Sequence, residues 1–336
     1  MRVFSVPVVL ALLALLSACG PDSAAPVAPD ALIVKSNDVV TQPTTSDIVG
    51  DLPKIAEIDS RLSANGVSAR LNSIQLMVNS YYPPGAPTVY VVDRTRYLPS
   101  LFVAHDPRRR SIVGLEWTYD LRRGNAFTVV NGAEAPWTSA QSRMVARDNV
   151  ATWTSLSCYK AFFDEVPYPL SPNNENIEFI DDFYLGGETQ PFSPVAEITY
   201  GGFLPYTLFR QIFGPNGDNV LGVTFQFSFS INGQYTDIDH DGNRDGIWSE
   251  IYFNDYYYWG NEKAPGFDPS LVASLNAVGL HEAGHTFGLG HWGRTFENHG
   301  GLHYAGDNVM SEHYQPFVNV KGEPTSAFCG IYTNWH

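Results

Sequence analysis

The chain has 336 residues, enough for one large domain or two modest ones. Its 44% hydrophobic content is that of a globular protein, and its many glycines, prolines, tyrosines and phenylalanines favour strands and loops. A formal net charge of −15 argues against nucleic acid or an anionic membrane surface as a partner. Three cysteines without a Cys-x-x-Cys pair argue against a cysteine-based metal site.

Residues 1–18 read as an export signal. Arg2 gives a positive start, and Val3 through Leu16 form an apolar run too short to span a bilayer comfortably. Leu16-Ser17-Ala18-Cys19 resembles the lipobox of bacterial lipoproteins. That resemblance implies an acylated Cys19, a lipid anchor as the one link to a membrane, and a place in the bacterial cell envelope. An ordinary cleaved signal and an extracellular protein is the alternative. Residues 19–53, rich in Ala, Pro, Ser, Thr and Asp, read as a flexible tether.

Residues 54–105 read as a small N-terminal subdomain or a propeptide-like region. They hold a helix near Ser68–Ser80, a break at Tyr81-Tyr82-Pro83-Pro84-Gly85 and a short strand over Thr88–Val92. The main domain then runs over 106–336. Ser111–Tyr119 predicts its first strand, and Met144, Val145, Val150, Trp153 and Leu156 predict a helix within Thr138–Phe163.

Val220–Ile231 has the clearest strand pattern, with Val223, Phe225, Phe227, Phe229 and Ile231 alternating with Thr224, Gln226, Ser228 and Ser230. Trp248–Phe253 is its expected partner strand. Between them, Asp237, Asp239, Asp241, Asn243 and Asp245 place oxygens at alternate loop positions, with Gly242 at the sharp turn. That pattern predicts a calcium loop, because carboxylates so close repel one another without a hard cation. Trp248 stands where an EF-hand needs a bidentate Glu, so the loop is not a complete EF-hand; Glu250 follows two residues late and is a candidate to turn inward. A solvated acidic hairpin turn is the alternative.

Asp268-Pro269 reads as an N-cap and first residue of a helix whose apolar face is Leu271, Leu275 and Val278. That helix runs into His281-Glu282-Ala283-Gly284-His285-Thr286-Phe287-Gly288-Leu289-Gly290-His291. Residues four apart share a helix face, so His281 and His285 reach one ion. Gly288 ends the helix and turns the chain back, delivering His291 as a third ligand. Three neutral imidazoles leave one tetrahedral position open, the mark of a catalytic zinc site. Glu282 lies one residue along, aimed off the ion as a general base.

The same stretch resembles the long zinc signature of the metzincin metallopeptidases, H-E-x-x-H-x-x-G-x-x-H, with every fixed position filled. Met310, in Asp307-Asn308-Val309-Met310-Ser311, stands where that family has a methionine-containing turn (Met-turn). The chain most resembles bacterial matrixin-like proteins, although Trp292 after the third histidine matches none of the best-known subgroups. The resemblance implies an α+β fold: a twisted mixed sheet, a backing helix, the zinc helix, the Met-turn and a closing helix or tail over Ala327–Trp335. It implies a zinc endopeptidase acting on proteins or peptides, with Glu282 activating zinc-bound water. It also implies a strand pairing with extended substrate, for which Glu250–Asn254 is the candidate. Tyr314 lies four residues after Met310, where the family's stabilising tyrosine follows by two. The matrixin cysteine switch is absent, since no cysteine lies between Cys19 and Cys158.

With Cys19 acylated or removed, Cys158 and Cys329 form an even pair able to bond in an oxidising compartment; two buried thiols are the alternative. His299, His303 and His313 fit no local metal spacing and read as loop residues. The rival to a peptidase is a non-catalytic surface adhesion module that binds zinc and calcium for structure.

Overall fold

The computed structural model describes residues 53–78, 102–103, 114–119, 126–130, 133–160, 162–166, 179–185, 196–236, 244–263, 265, 267, 272–291, 294–298, 301–305, 308–311, 314, 316 and 319–332. The export signal, Cys19, the tether before Pro53, the strand expected over Thr88–Val92 and Asp237–Asn243 of the acidic loop lie outside them. In chain order the main elements are helix α1 (Pro53–Ala64), strand β1 (Ala69–Val78), strand β2 (Gly114–Tyr119), helix α2 (Ser139–Thr154) and strand β3 (Phe162–Glu165). Helix α3 (Phe179–Leu185), strand β4 (Ile198–Leu204), helix α4 (Tyr206–Phe213), strand β5 (Val220–Ile231) and strand β6 (Arg244–Asn254) follow. Helix α5 (Leu275–Thr286) and helix α6 (Glu323–Tyr332) come last.

The six strands form one mixed sheet in the order β1-β5-β6-β4-β2-β3. Strands β6, β4, β2 and β3 are mutually parallel, and β5 runs antiparallel to both β6 and β1. The fold is therefore α+β around a mixed sheet. Short crossovers cannot join parallel neighbours, so α2 carries the chain from β2 to β3.

Two apolar layers sandwich the sheet. On one face, Leu221, Ile251 and Phe253 pack with Trp153 of α2, Val278 of α5 and Phe328 of α6. On the other, Val223, Phe225 and Trp248 pack with Leu62 of α1, Ile180 of α3 and Phe209 of α4.

Strand β5 has the bounds its alternation predicts. Its polar positions face no solvent, however: Thr224, Gln226 and Ser228 are as buried as the phenylalanines between them. The strand is flanked on both sides, and α5 covers the polar face.

The helix expected near Ser68–Ser80 is instead strand β1. A register shift between Leu71 and Ser73 inserts one extra residue, so Leu71, Ile74 and Leu76 reach the same apolar layer. That bulge gives a strand the three-residue spacing of a helix. The region read as a separate subdomain or propeptide thereby supplies a strand of the main sheet.

Helix α2 stops at Thr154 rather than continuing to Phe163. It opens with a reciprocal cap between Thr138 and Gln141, and after Ser155 the backbone bonds shorten to Trp153–Leu156 and Leu156–Tyr159 turns. The residues beyond pair with β2 as β3. Cys158, in that turn, is disulfide-bonded to Cys329 of α6, with Cα atoms 5.4 Å apart.

Strand β6 is not an exposed edge. Ser249–Asn254 pair with β4 on one side and Gly246–Phe253 with β5 on the other, which overturns Glu250–Asn254 as the substrate-pairing edge.

Candidate metal centre

Helix α5 starts at Leu275, not at Asp268-Pro269. Ser274 is its cap: the backbone there is extended, and the Ser274 hydroxyl accepts the Ala277 N–H at 3.0 Å. Residues 273–274 are held as a short strand against 259–260, so the chain cannot turn helical sooner. Leu275 and Val278 are buried, as the apolar spacing predicts.

One turn apart on α5, His281 and His285 bring their Nε2 atoms within 2.9 Å. Gly288, at φ +93°, folds the chain back, and His291 Nε2 arrives 3.2 Å from each of the other two. Nitrogen ligands about 2.0–2.1 Å from a tetrahedral ion stand about 3.3 Å apart, close to this triangle.

The outer ring nitrogens fix which atoms face the centre of the triangle. His281 Nδ1 donates to the Val309 carbonyl at 2.7 Å, and His285 Nδ1 donates to the Leu289 carbonyl at 2.8 Å. Both rings are thus held in the tautomer that turns an Nε2 lone pair inward. Burial, and then the neighbouring His285, push His281 well below the usual histidine value. Burial pushes His285 down to about 4. Neutral imidazoles converging lone pairs on one point repel one another unless a cation sits between them. The donor set fits a metal ion.

Glu282 stands beside two of these histidines without joining them. Its Oε2 accepts the Thr224 hydroxyl at 2.6 Å. Burial raises its carboxyl to about 8, against the pull of that hydroxyl and of the Met77 backbone amide. Gln226, two residues along β5, donates its side-chain amide to the His285 carbonyl. The polar face of β5 is therefore a rack for α5, holding both the Glu282 carboxylate and the end of the helix.

Behind the helix, the turn Asn308–Ser311 offers two contacts. Val309 supplies the His281 acceptor, and Met310, buried, lies against Gly284. A methyl on Gly284 would collide with Met310 Sδ and meet Trp153 Cζ2 at 2.9 Å, so only glycine admits this approach. Trp153 Nε1 also donates to the Leu280 carbonyl at 2.9 Å, binding α2 to α5.

Other expected site residues are elsewhere. Glu250, the late candidate ligand of the acidic loop, is engaged by other groups. Its carboxylate accepts the Phe179 and Ile180 N–H groups at the start of α3, the Trp248 indole and the Tyr252 hydroxyl. Asp245 lies in β6, while its loop partners Asp237, Asp239, Asp241 and Asn243 lie outside the described residues. Tyr314 is buried, its hydroxyl accepting the Ser274 N–H at 2.8 Å, where it helps start α5. His303 lies in a hairpin strand, Gly301–Ala305, while His299 and His313 lie outside the described residues. Among the described residues, His281, His285 and His291 are the one cluster arranged to hold a metal ion.

Thr224 and Gln226 are the site residues that sequence reasoning passed over. Their signal was a run of uncharged polar residues in a strand too apolar for an exposed face. Scanned against protein-family models, the chain matches none, and a search of curated proteins finds no match.

Proposed function

We propose that the chain is a zinc-dependent endopeptidase of the metzincin type, with Met310 in the position of the Met-turn. The observation that carries the reading is Glu282: a buried carboxylate one residue from a ligand, outside the ligand triangle, with a dedicated donor on Thr224. Three imidazole ligands with an open fourth position suit zinc better than magnesium or calcium, which take oxygen.

Zinc, when bound, acts as a Lewis acid toward the scissile carbonyl and acidifies the attacking water. Glu282 takes the proton from that water and passes it to the leaving amine. Thr224 holds the carboxylate in line, the Val309 and Leu289 carbonyls fix the ring orientations of His281 and His285, and Met310 forms the floor without binding metal. Protein or peptide is the substrate class. The acidic loop is proposed as a calcium site, and the lipobox-like N-terminus as the anchor of an exported bacterial protein.

The rival reading is a metal-bearing adhesion module without catalysis, and the complete burial of His281, Glu282 and His285 favours it. Incubating the zinc-loaded protein with an unselected peptide library, followed by mass spectrometry, separates the two. New termini that Glu282→Gln does not produce support the peptidase. Full zinc occupancy with no cleavage by any form of the protein supports the adhesion module.

A further inference from the structure

The burial of Glu282 conflicts with its proposed role. A general base must come within hydrogen-bond reach of the water it deprotonates, and that water must touch the scissile carbonyl. Glu282, His281 and His285 are each 0% exposed. Some part of the molecule covers the place where a substrate must lie.

The cover on the sheet side is β1. Glu282 rests against the rim of β5: a Cβ built on Gly222 would lie 2.9 Å from Glu282 Oε1, and Thr224 holds Oε2. Those two β5 residues pair with Met77 and Gln75 of β1. Met77 is 1% exposed and belongs to the same apolar cluster as Val278 of α5. The end of β1 therefore closes the sheet beside the carboxylate.

Strand β5 has two edges, and β6 uses one of them. An extended peptide crossing the face of Glu282 gains main-chain hydrogen bonds by adding to the other edge, the common way peptides bind beside a sheet. In this structure β1 pairs along that edge from Ala69 to Val78. The same amides and carbonyls cannot serve two strands at once.

We propose that β1 is an internal blocking strand: it occupies the β5 edge that an extended peptide substrate needs, and keeps Glu282 out of reach until it is displaced. This rests on the peptidase reading and adds its regulation. Strand β1 is tied to α1, because Asp59 accepts both the Leu71 N–H and the Arg70 guanidinium at 2.9 Å. Ile58 and Leu62 of α1 are buried in the same layer as Leu71 and Leu76. Residues 53–78 thus act as one plug, and the chain that keeps it seated has low basal activity.

Two measurements on the full zinc-loaded chain test this. The first compares wild type with Gln75→Pro, which removes a backbone donor and disfavours the ladder beside Thr224. The expected result is a rise of ~10-fold or more in cleavage of a quenched peptide. An equal or lower rate, with wild-type circular dichroism and zinc content, overturns the proposal. The second applies if that variant does not fold: hydrogen exchange of wild type with and without a saturating short peptide hydroxamate. Faster exchange across 69–78 on binding supports displacement. Unchanged or slower exchange there, the result if substrate pairs on the outside of β1, overturns it. In that case the peptidase reading stands. Zinc-loaded protein that neither cleaves peptide as wild type or variant nor binds the hydroxamate overturns both.

Discussion

The Thr224 hydroxyl donates to Glu282 Oε2 across 2.6 Å, joining the middle of the sheet to the carboxylate beside the three clustered histidines. Both hydrogen bonds of the Thr224 hydroxyl go to Glu282, one to its carboxylate and one to its carbonyl, so its expected effect is on the proposed base. Thr224→Val keeps the shape and removes the donor, and is expected to lower kcat ~10-fold with zinc affinity unchanged. Thr224→Ser restores the rate. Loss of zinc in the valine variant is the result that assigns Thr224 a structural role instead.

Glu282→Gln is expected to cut peptide cleavage by at least ~10²-fold while zinc stays bound, in wild type and in the Gln75→Pro background. His291→Ala removes one of three nitrogens and is expected to lower zinc occupancy, read by atomic absorption. Near-full activity in Glu282→Gln rules out the mechanism.

Gly284→Ala adds one methyl where Met310 and Trp153 already press on the helix. Overpacking of this sort costs about 1–3 kcal/mol, so the urea midpoint falls. Adding Met310→Ala in the same chain makes room, and the double variant is expected to lose less than the sum of the two singles.

The Glu250 carboxyl is raised to about 7, chiefly by burial, against the pull of its four donors. Between its ordinary value of 4.5 and 7, the folded chain holds a proton that the unfolded chain has released. Stability is therefore fullest below that window and falls as pH rises through it, by up to about 3 kcal/mol. Urea midpoints of metal-stripped wild type at about pH 5 and about pH 8 are expected to differ more than those of Glu250→Gln. Equal pH dependence in the two proteins refutes the assignment.

The bond between Cys158 and Cys329 closes a loop across 171 positions. In the chain-entropy model such a crosslink stabilises by about 5 kcal/mol. Cys329→Ser is expected to lower the melting temperature strongly, and denatured, unreduced protein is expected to show neither Cys158 nor Cys329 as a titratable thiol.

The metal triangle was legible because its ligands are local: one helical turn and one glycine reversal set all three histidines, and eleven residues carry that information. Strand β5 was legible for the same reason. The errors came wherever distant chain decides the outcome. Strand β1 looked helical because a bulge alters its spacing, and only pairing with β5 reveals the bulge. Glu250 looked like a cation ligand because nothing nearby announces the two amides of α3, 70 residues away or more, that hold it. Asp268-Pro269 resembled a helix start, while the working cap at Ser274 is fixed by Tyr314, which lies beyond the motif.

The placement of α6 has a consequence for the order in which the molecule is made. Phe328 stacks on Trp153, and the Tyr332 hydroxyl donates to the Phe287 carbonyl at the end of the metal helix. The back wall of the centre is thus built from residues 139–154 and 323–332, with the ligands between them in sequence. A chain still emerging at residue 300 already carries every histidine of the triangle and helix α2, but not the half of the wall that α6 supplies. The wall behind the three histidines is therefore complete only once α6 has packed against α2 and the end of α5.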